Sequence, residues 1–232
     1  MIFVPNNNRK SFIILIFSLL SLFLLPHFRI LGNIKTVTKP APPKKYCALT
    51  FDDGPDPHFT PQVLKILKKE KIPATFFVVG QNAAKYPDLI KEIYADGNEI
   101  ENHTYTHPVL NYFKDNTNLA LEIKKTDEVV YQAINYTPAF FRPPRGRRPV
   151  YLYKILAQNK KTLVMWNICV ESVIDKKKTN FLVTKNKVII LAHDGRLDRS
   201  KTIKALPQVI KQYKDAGYQF VTINQLHSLG VK

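Results

Sequence analysis

The chain has 232 residues, 45% of them hydrophobic and 11% aromatic. That is enough to bury one substantial core, and the composition excludes a repeat array or a low-complexity polymer. The net charge of +17 suits an anionic lipid, an anionic wall polymer or nucleic acid, and an export signal at the front of the chain decides for the first two; nucleic-acid binding has charge alone in its favour.

Arg9 and Lys10 precede an uncharged apolar run from Phe12 to Leu25. A basic start followed by such a run reads as an export segment. No small-residue cleavage site follows Leu25, so an uncleaved single-pass anchor is expected, with a cleaved signal as the alternative. Arg9 and Lys10 would then stay cytoplasmic and the rest of the chain would lie outside. Residues 1–32 are read as this anchor, 33–45 as a Pro/Lys-rich tether of semi-rigid character, and 46–232 as one functional domain, expected to be a monomer.

Tyr46 to Phe51 reads as a strand ending in the turn Asp52-Asp53-Gly54-Pro55. Thr60-Pro61 starts a helix that buries Val63, Ile66 and Leu67. Ala74 to Val79 is a second strand, Pro87 to Asp96 a helix stopped at Gly97, and Glu99 to Asn102 a brief third strand. A helix near Asn118 to Ala133, a strand at Ala139 to Phe141 and a helix near Val150 to Gln158 follow. Further strands are expected at Thr162 to Trp166 and Val188 to Leu191. A helix carrying Leu206, Val209, Ile210 and Tyr213 precedes a last strand at Gln219 to Val221, and Thr222 caps a short terminal helix. Strands alternating with helices predict a parallel sheet covered by helices. About seven such units predict a distorted or incomplete (β/α) barrel, with a doubly wound open sheet as second choice. Cys47 opens one strand and Cys169 follows another, roughly 16 Å away at about 3.3 Å per residue; a disulfide cannot span that, and two free thiols are expected.

The polar clusters all fall just after strands, where parallel α/β folds build their sites. Asp52 and Asp53 are adjacent carboxylates, and side chains of neighbours in an extended segment point opposite ways, so they should do different jobs. His103 and His107, four residues apart, can meet one metal ion if they lie on one helical turn. Two His and one carboxylate with open positions describe a catalytic divalent-metal site. Arg142 stands at a strand end in a proline-stiffened segment, suited to holding a carboxylate. His193 ends another strand and can serve as acid or base. The chain has no standard phosphate loop and no Gly-x-Ser-x-Gly elbow.

Taken together, these pieces resemble the polysaccharide deacetylases, the fourth carbohydrate esterase family. Thr50 to Gly54 match its Thr-Phe-Asp-Asp-Gly, His103 to His107 its His-Ser/Thr-x-x-His, Arg142, Pro144 and Gly146 its Arg-x-Pro-x-Gly, and Leu191 to His193 its Leu-x-His. The resemblance implies removal of N-acetyl groups from a cell-envelope polysaccharide such as peptidoglycan or a chitin-like polymer, with one divalent ion, usually zinc, on Asp53, His103 and His107. It makes Asp52 the base toward metal-activated water, positioned by Arg142, and His193 the acid toward the leaving amine. The Arg145 backbone N–H would face the oxyanion, and Trp166, Leu191 and Pro144 would line the substrate pocket. An O-acetyl esterase, or a wall-binding protein with a decayed site, are the alternatives.

The fourth motif departs. Trp166 is followed at the third position by Cys169, where the family carries an Asp that tunes the catalytic His. Without a carboxylate partner the His193 pKa should fall, leaving less of the ring protonated to act as an acid at neutral pH; Glu171, two residues on, is the candidate replacement. Arg145, in place of an aromatic residue, makes with Arg147 and Arg148 a basic rim that would favour an anionic substrate.

Overall fold

The computed structural model describes residues 44–115 and 117–230. The expected anchor and nearly all of the tether lie outside them. Among the described residues no helix is long and apolar enough to cross a membrane.

Strands and helices alternate as expected. In chain order they are β1 (Lys45–Asp52), α1 (Thr60–Glu70), β2 (Thr75–Val78), α2 (Gly80–Lys85), α3 (Pro87–Ala95), β3 (Glu99–Asn102), α4 (Leu119–Ile134), β4 (Phe140–Phe141) and a 3₁₀ turn (Pro144–Gly146). Then come α5 (Val150–Gln158), β5 (Thr162–Leu163), β6 (Ile168–Cys169), α6 (Val170–Asp175), β7 (Lys187–His193), α7 (Ser200–Asp215), β8 (Tyr218–Phe220) and α8 (Ile223–Ser228). All the strand pairs are parallel. Their order is β5-β4-β3-β2-β1-β7-β6, with β8 against the first half of β1. This is the order of a barrel read round from β1 and left open between β5 and β6. The incomplete barrel therefore holds, and the doubly wound sheet does not. The cysteines are free thiols: Cys169 is level with Leu191 and hence with Thr50, three positions along from Cys47 and two strands away.

The period of two along each strand separates two faces. Cys47, Leu49 and Phe51 of β1, Phe76 and Val78 of β2, Ile100 of β3, and Val188, Ile190 and Ala192 of β7 pack against the covering helices, including Leu206, Val209, Ile210 and Tyr213 of α7. The opposite parity faces the barrel interior. Its apolar part brings Ala48, Phe77, Phe140 and Val164 together with Ile223 and Leu226 of α8. Thr222 caps α8 through a full capping box with Gln225. The interior also holds polar groups: Thr50, Asp52, Thr75, Glu99, Glu101 and Arg142 are all buried. Glu101 accepts from Tyr136 Oη and Phe140 N, each at 2.6 Å, and burial next to Glu99 pushes its pKa well above the usual carboxylate range. The two donors work against that rise, and burial outweighs them.

The shortest elements differ from expectation. The strand expected to reach Trp166 stops at Leu163, and β6, α6 and α2 add elements of two to six residues. Periodicity has nothing to act on over such lengths.

Truncating Ile210, fully buried between α7 and the sheet, leaves a cavity among rigid neighbours. Ile210→Ala is expected to lower the unfolding free energy by about 2–5 kcal/mol in urea denaturation, with the metal stoichiometry of the folded protein unchanged.

Candidate active site and metal centre

The inward-facing residues at the carboxyl ends of β1, β3 and β7, with those that follow them, converge on one cavity of about 490 Å³. Asp52, Asp53, His103, His107, Arg145, Gly146, Trp166, Cys169, Leu191, His193 and Arg199 are among its walls. Pro144 is buried in its turn but is not one of them, which corrects its assignment to the pocket.

Asp52 ends β1 with its side chain inward. Asp53 does not point the opposite way as strand geometry predicts, because its φ of 77° takes the chain out of the strand. Both carboxylates therefore face the same histidine: His103 Nε2 lies 3.8 Å from Asp52 Oδ2 and 3.6 Å from Asp53 Oδ1. The turn is held by Asn82, whose Nδ2 donates to the Asp53 carbonyl at 3.0 Å. Gly195 packs so closely beneath it that a Cβ there would meet that carbonyl oxygen at 2.3 Å.

The two histidines are not on a helical turn. His103 leaves β3 directly into a loop, in which Thr104 and His107 have φ of 69° and 56°. Glu122 of α4 pins that loop, its Oε2 accepting from Tyr105 N at 2.9 Å and Thr106 N at 2.7 Å. The rings still come together, with centroids 5.0 Å apart, and His107 Nε2 reaches Asp53 Oδ1 at 3.1 Å. The imidazole–imidazole–carboxylate set fits a divalent ion: Asp53, His103 and His107 each offer a ligand atom within 4.8 Å of the others. His103 is oriented for this role, since its Nδ1–H donates to the Arg142 carbonyl at 2.7 Å and turns Nε2 toward the carboxylates. At His107 the Arg196 guanidinium donates to Nδ1, so coordination through Nε2 requires this exposed Arg to give way. Burial works to raise the Asp53 pKa, but His103, His193 and Arg196 outweigh it and hold the carboxylate below its ordinary value.

Arg142 is fully buried. Its Nη1 donates to Asp52 Oδ1 at 2.7 Å and Thr50 Oγ1 at 2.8 Å, and its Cζ lies 4.1 Å from the centre of the Phe77 ring. Desolvation lowers the guanidinium pKa and Asp52 counters it. One nitrogen, not a bidentate fork, holds Asp52, which leaves Oδ2 facing the cavity. Arg145 has φ of 56° and an exposed side chain; among the described residues no carbonyl accepts from its amide. Gly146 lies under the indole of Trp166, and a Cβ there would sit 2.7 Å from Cη2.

His193 has a carboxylate after all. Glu171 stands two residues past Cys169, in the first turn of the helix α6 that follows β6. Its Oε1 accepts from His193 N at 3.1 Å and Thr202 Oγ1 at 2.8 Å, and its Oε2 lies 3.2 Å from His193 Nδ1. The expected weakening of His193 is thus overturned. Burial lowers its pKa, but Glu171, with Asp52 and Asp53, raises it above the ordinary histidine value. Sequence reasoning also missed Arg199, whose Nη2 lies 3.2 Å from Asp53 Oδ2 and whose Nε donates to the Gly195 carbonyl at 2.8 Å. A lone Arg opening a helix carries no local signal of that contact.

Comparison with known proteins gives the same answer. Residues 39–164 match the polysaccharide deacetylase family model. A peptidoglycan-N-acetylglucosamine deacetylase of Bacillus cereus is 36% identical over 194 residues, covering 79% of this chain and 88% of that one. The solved structure of the peptidoglycan deacetylase PdaC from Bacillus subtilis superposes with a TM-score of 0.69 at 32% identity, over 82% of this chain and 93% of that one. A family 4 acetyl xylan esterase from Clostridium thermocellum, solved with a cobalt ion, gives a TM-score of 0.70 at 31% identity, over 81% and 93%. The family match, these relatives and an open parallel barrel with two histidines and two carboxylates at its mouth place this chain in the polysaccharide deacetylase family of metal-dependent hydrolases.

Proposed function

We propose that this enzyme removes N-acetyl groups from peptidoglycan or a similar N-acetylhexosamine polymer outside the membrane, with Asp53, His103 and His107 holding a zinc ion. The observation that carries this reading is the placing of Asp52 and His193 as cross-strand partners on β1 and β7, both lining the cavity that holds those three residues. A divalent ion bound there supplies an acidified water and a polarised acetamide carbonyl. Asp52 takes the proton of the attacking water through Oδ2, its Oδ1 being occupied by Arg142. His193, with Nδ1 toward Glu171, presents Nε2 to the leaving amine and protonates it. The Glu171 charge beside Nδ1 stabilises the imidazolium form. The Arg145 amide faces the oxyanion, and Trp166 and Leu191 bound the acetyl group. Acetate and a free amino sugar are the products. Residues 1–32 anchor the chain and 33–45 tether the catalytic domain, 46–232, to the outer face of the membrane as a monomer. The Arg145 side chain gives the mouth of the site a positive charge suited to an anionic wall polymer.

The general acid works while protonated, so a raised His193 pKa keeps activity up to higher pH. Glu171→Gln removes the charge that raises it. The alkaline limb of the kcat/KM profile is expected to move to lower pH, so that a limb displaced by one pH unit lowers activity there about tenfold, while activity on the acid side is largely retained. An alkaline limb that stays where it is would contradict the pairing.

The substrate reading is tested by acetate release from peptidoglycan, N-acetylglucosamine oligomers and acetylated xylan, each with zinc or with chelator. Release from an amino-sugar polymer, abolished by chelator and restored by zinc, is expected. Release from xylan alone would turn the assignment to an O-acetyl esterase, and chelator-insensitive release would overturn the metal's role.

A further inference from the structure

The thiol at position 169 stands beside the catalytic histidine and has no part in the reaction described above. Its Sγ–H donates to Glu171 Oε2 at 3.3 Å, and the same oxygen lies 3.2 Å from His193 Nδ1. Cys169, Glu171 and His193 thus offer three ligand atoms within 4.8 Å of one another. At Zn–S of about 2.3 Å and Zn–N or Zn–O of about 2.0–2.2 Å, neighbouring ligands of a tetrahedral ion stand about 3.4–3.6 Å apart, so the two measured edges need to open by only a few tenths of an ångström.

Two further features favour a ligand here. His193 Nδ1 is buried and its ring N–H is not aimed at Glu171, so it lacks a hydrogen bond of ordinary geometry despite the short separation. Coordination would give that nitrogen a directed partner without breaking one. Glu171 is also already fixed: Oε1 is committed to Thr202 and the His193 amide, which leaves Oε2 toward the other two ligands. Cys169 and His193 both line the open cavity, so an ion has a path in. A thiolate makes this set softer than the Asp53–His103–His107 set and selects zinc or cadmium over magnesium or manganese.

We propose that Cys169, Glu171 and His193 form a second, sulfur-containing metal site that binds zinc or cadmium beside the catalytic centre. On binding, the Cys169 thiol proton and any Nδ1 proton of His193 pass to solvent, and three ligand-to-metal bonds form. The metal-bound ring keeps Nε2–H but is a far weaker acid than imidazolium, and the Glu171 charge is spent on the ion. Excess zinc therefore inhibits, a consequence that rests on the reading of His193 as general acid.

The test titrates the full chain with cadmium while following thiolate-to-metal charge-transfer absorption, and in parallel with zinc while following acetate release. The wild-type protein is expected to take two cadmium equivalents, the weaker one bringing the charge-transfer band, and to lose activity as a second zinc binds. Cys169→Ser should abolish the band and weaken the second equivalent by more than the roughly 10–100-fold that loss of a second-shell partner costs, and its activity should no longer fall at the zinc concentrations that inhibit the wild type. Circular dichroism checks that this variant is folded. A single cadmium equivalent without a charge-transfer band, or a band that survives Cys169→Ser, would overturn the proposal. A second equivalent with its band but no loss of activity would uphold the site and contradict His193 as the acid.

Discussion

The buried ion pair between Arg142 and Asp52 is the contact on which the rest of the site depends. A guanidinium cannot give up its charge at any ordinary pH, and one wholly removed from water is tolerable only with an anion and further acceptors around it. Asp52 is that anion, and Thr50 Oγ1 and the Val164 carbonyl take further N–H groups. The pair joins the segment after β4 to the end of β1, across β2 and β3, and its cation lies over the Phe77 ring between them. The Arg142 carbonyl meanwhile fixes the tautomer of His103. One residue thus orients a carboxylate with its side chain and an imidazole with its backbone.

Around this anchor the site is made by departures from regular structure. Asp53, Thr104, His107, Arg145 and Arg196 all carry positive φ, a conformation that costs a non-glycine residue of order 1–3 kcal/mol. Such backbone persists where its surroundings over-determine it, and here Asn82, Glu122 and the carbonyl packed on Gly195 do so. The regular strands bring the segments together, and the irregular residues after them aim the side chains inward.

That division explains what could be read from the chain alone. The alternation of strands and helices, the open barrel and the strand-end location of every cluster follow from periodicity, which is local. The convergence of His103 and His107 was legible from their spacing, but for the wrong geometric reason: they meet through a pinned loop and not a helical turn. The opposed directions expected for Asp52 and Asp53 failed because one φ angle turned the second carboxylate. Glu171 could be named only as a candidate, because its partnership with His193 depends on how the first turn of α6 sits against the end of β7, a contact between segments about twenty residues apart. Arg199 and its contact with Asp53 were invisible, since nothing within either segment points to the other.

The central claim is that two neighbouring carboxylates divide the work, Asp53 holding the metal and Asp52 moving the proton. The most direct measurement is the bound-metal content of Asp52→Asn and Asp53→Asn, prepared side by side, together with single-turnover acetate release from each after metal is restored. The account predicts that Asp52→Asn keeps its full complement of metal and loses turnover by about 10²–10⁴-fold, whereas Asp53→Asn loses the metal and recovers activity only as metal is raised. Equal metal loss in both variants, or near-normal turnover in metal-loaded Asp52→Asn, would contradict it.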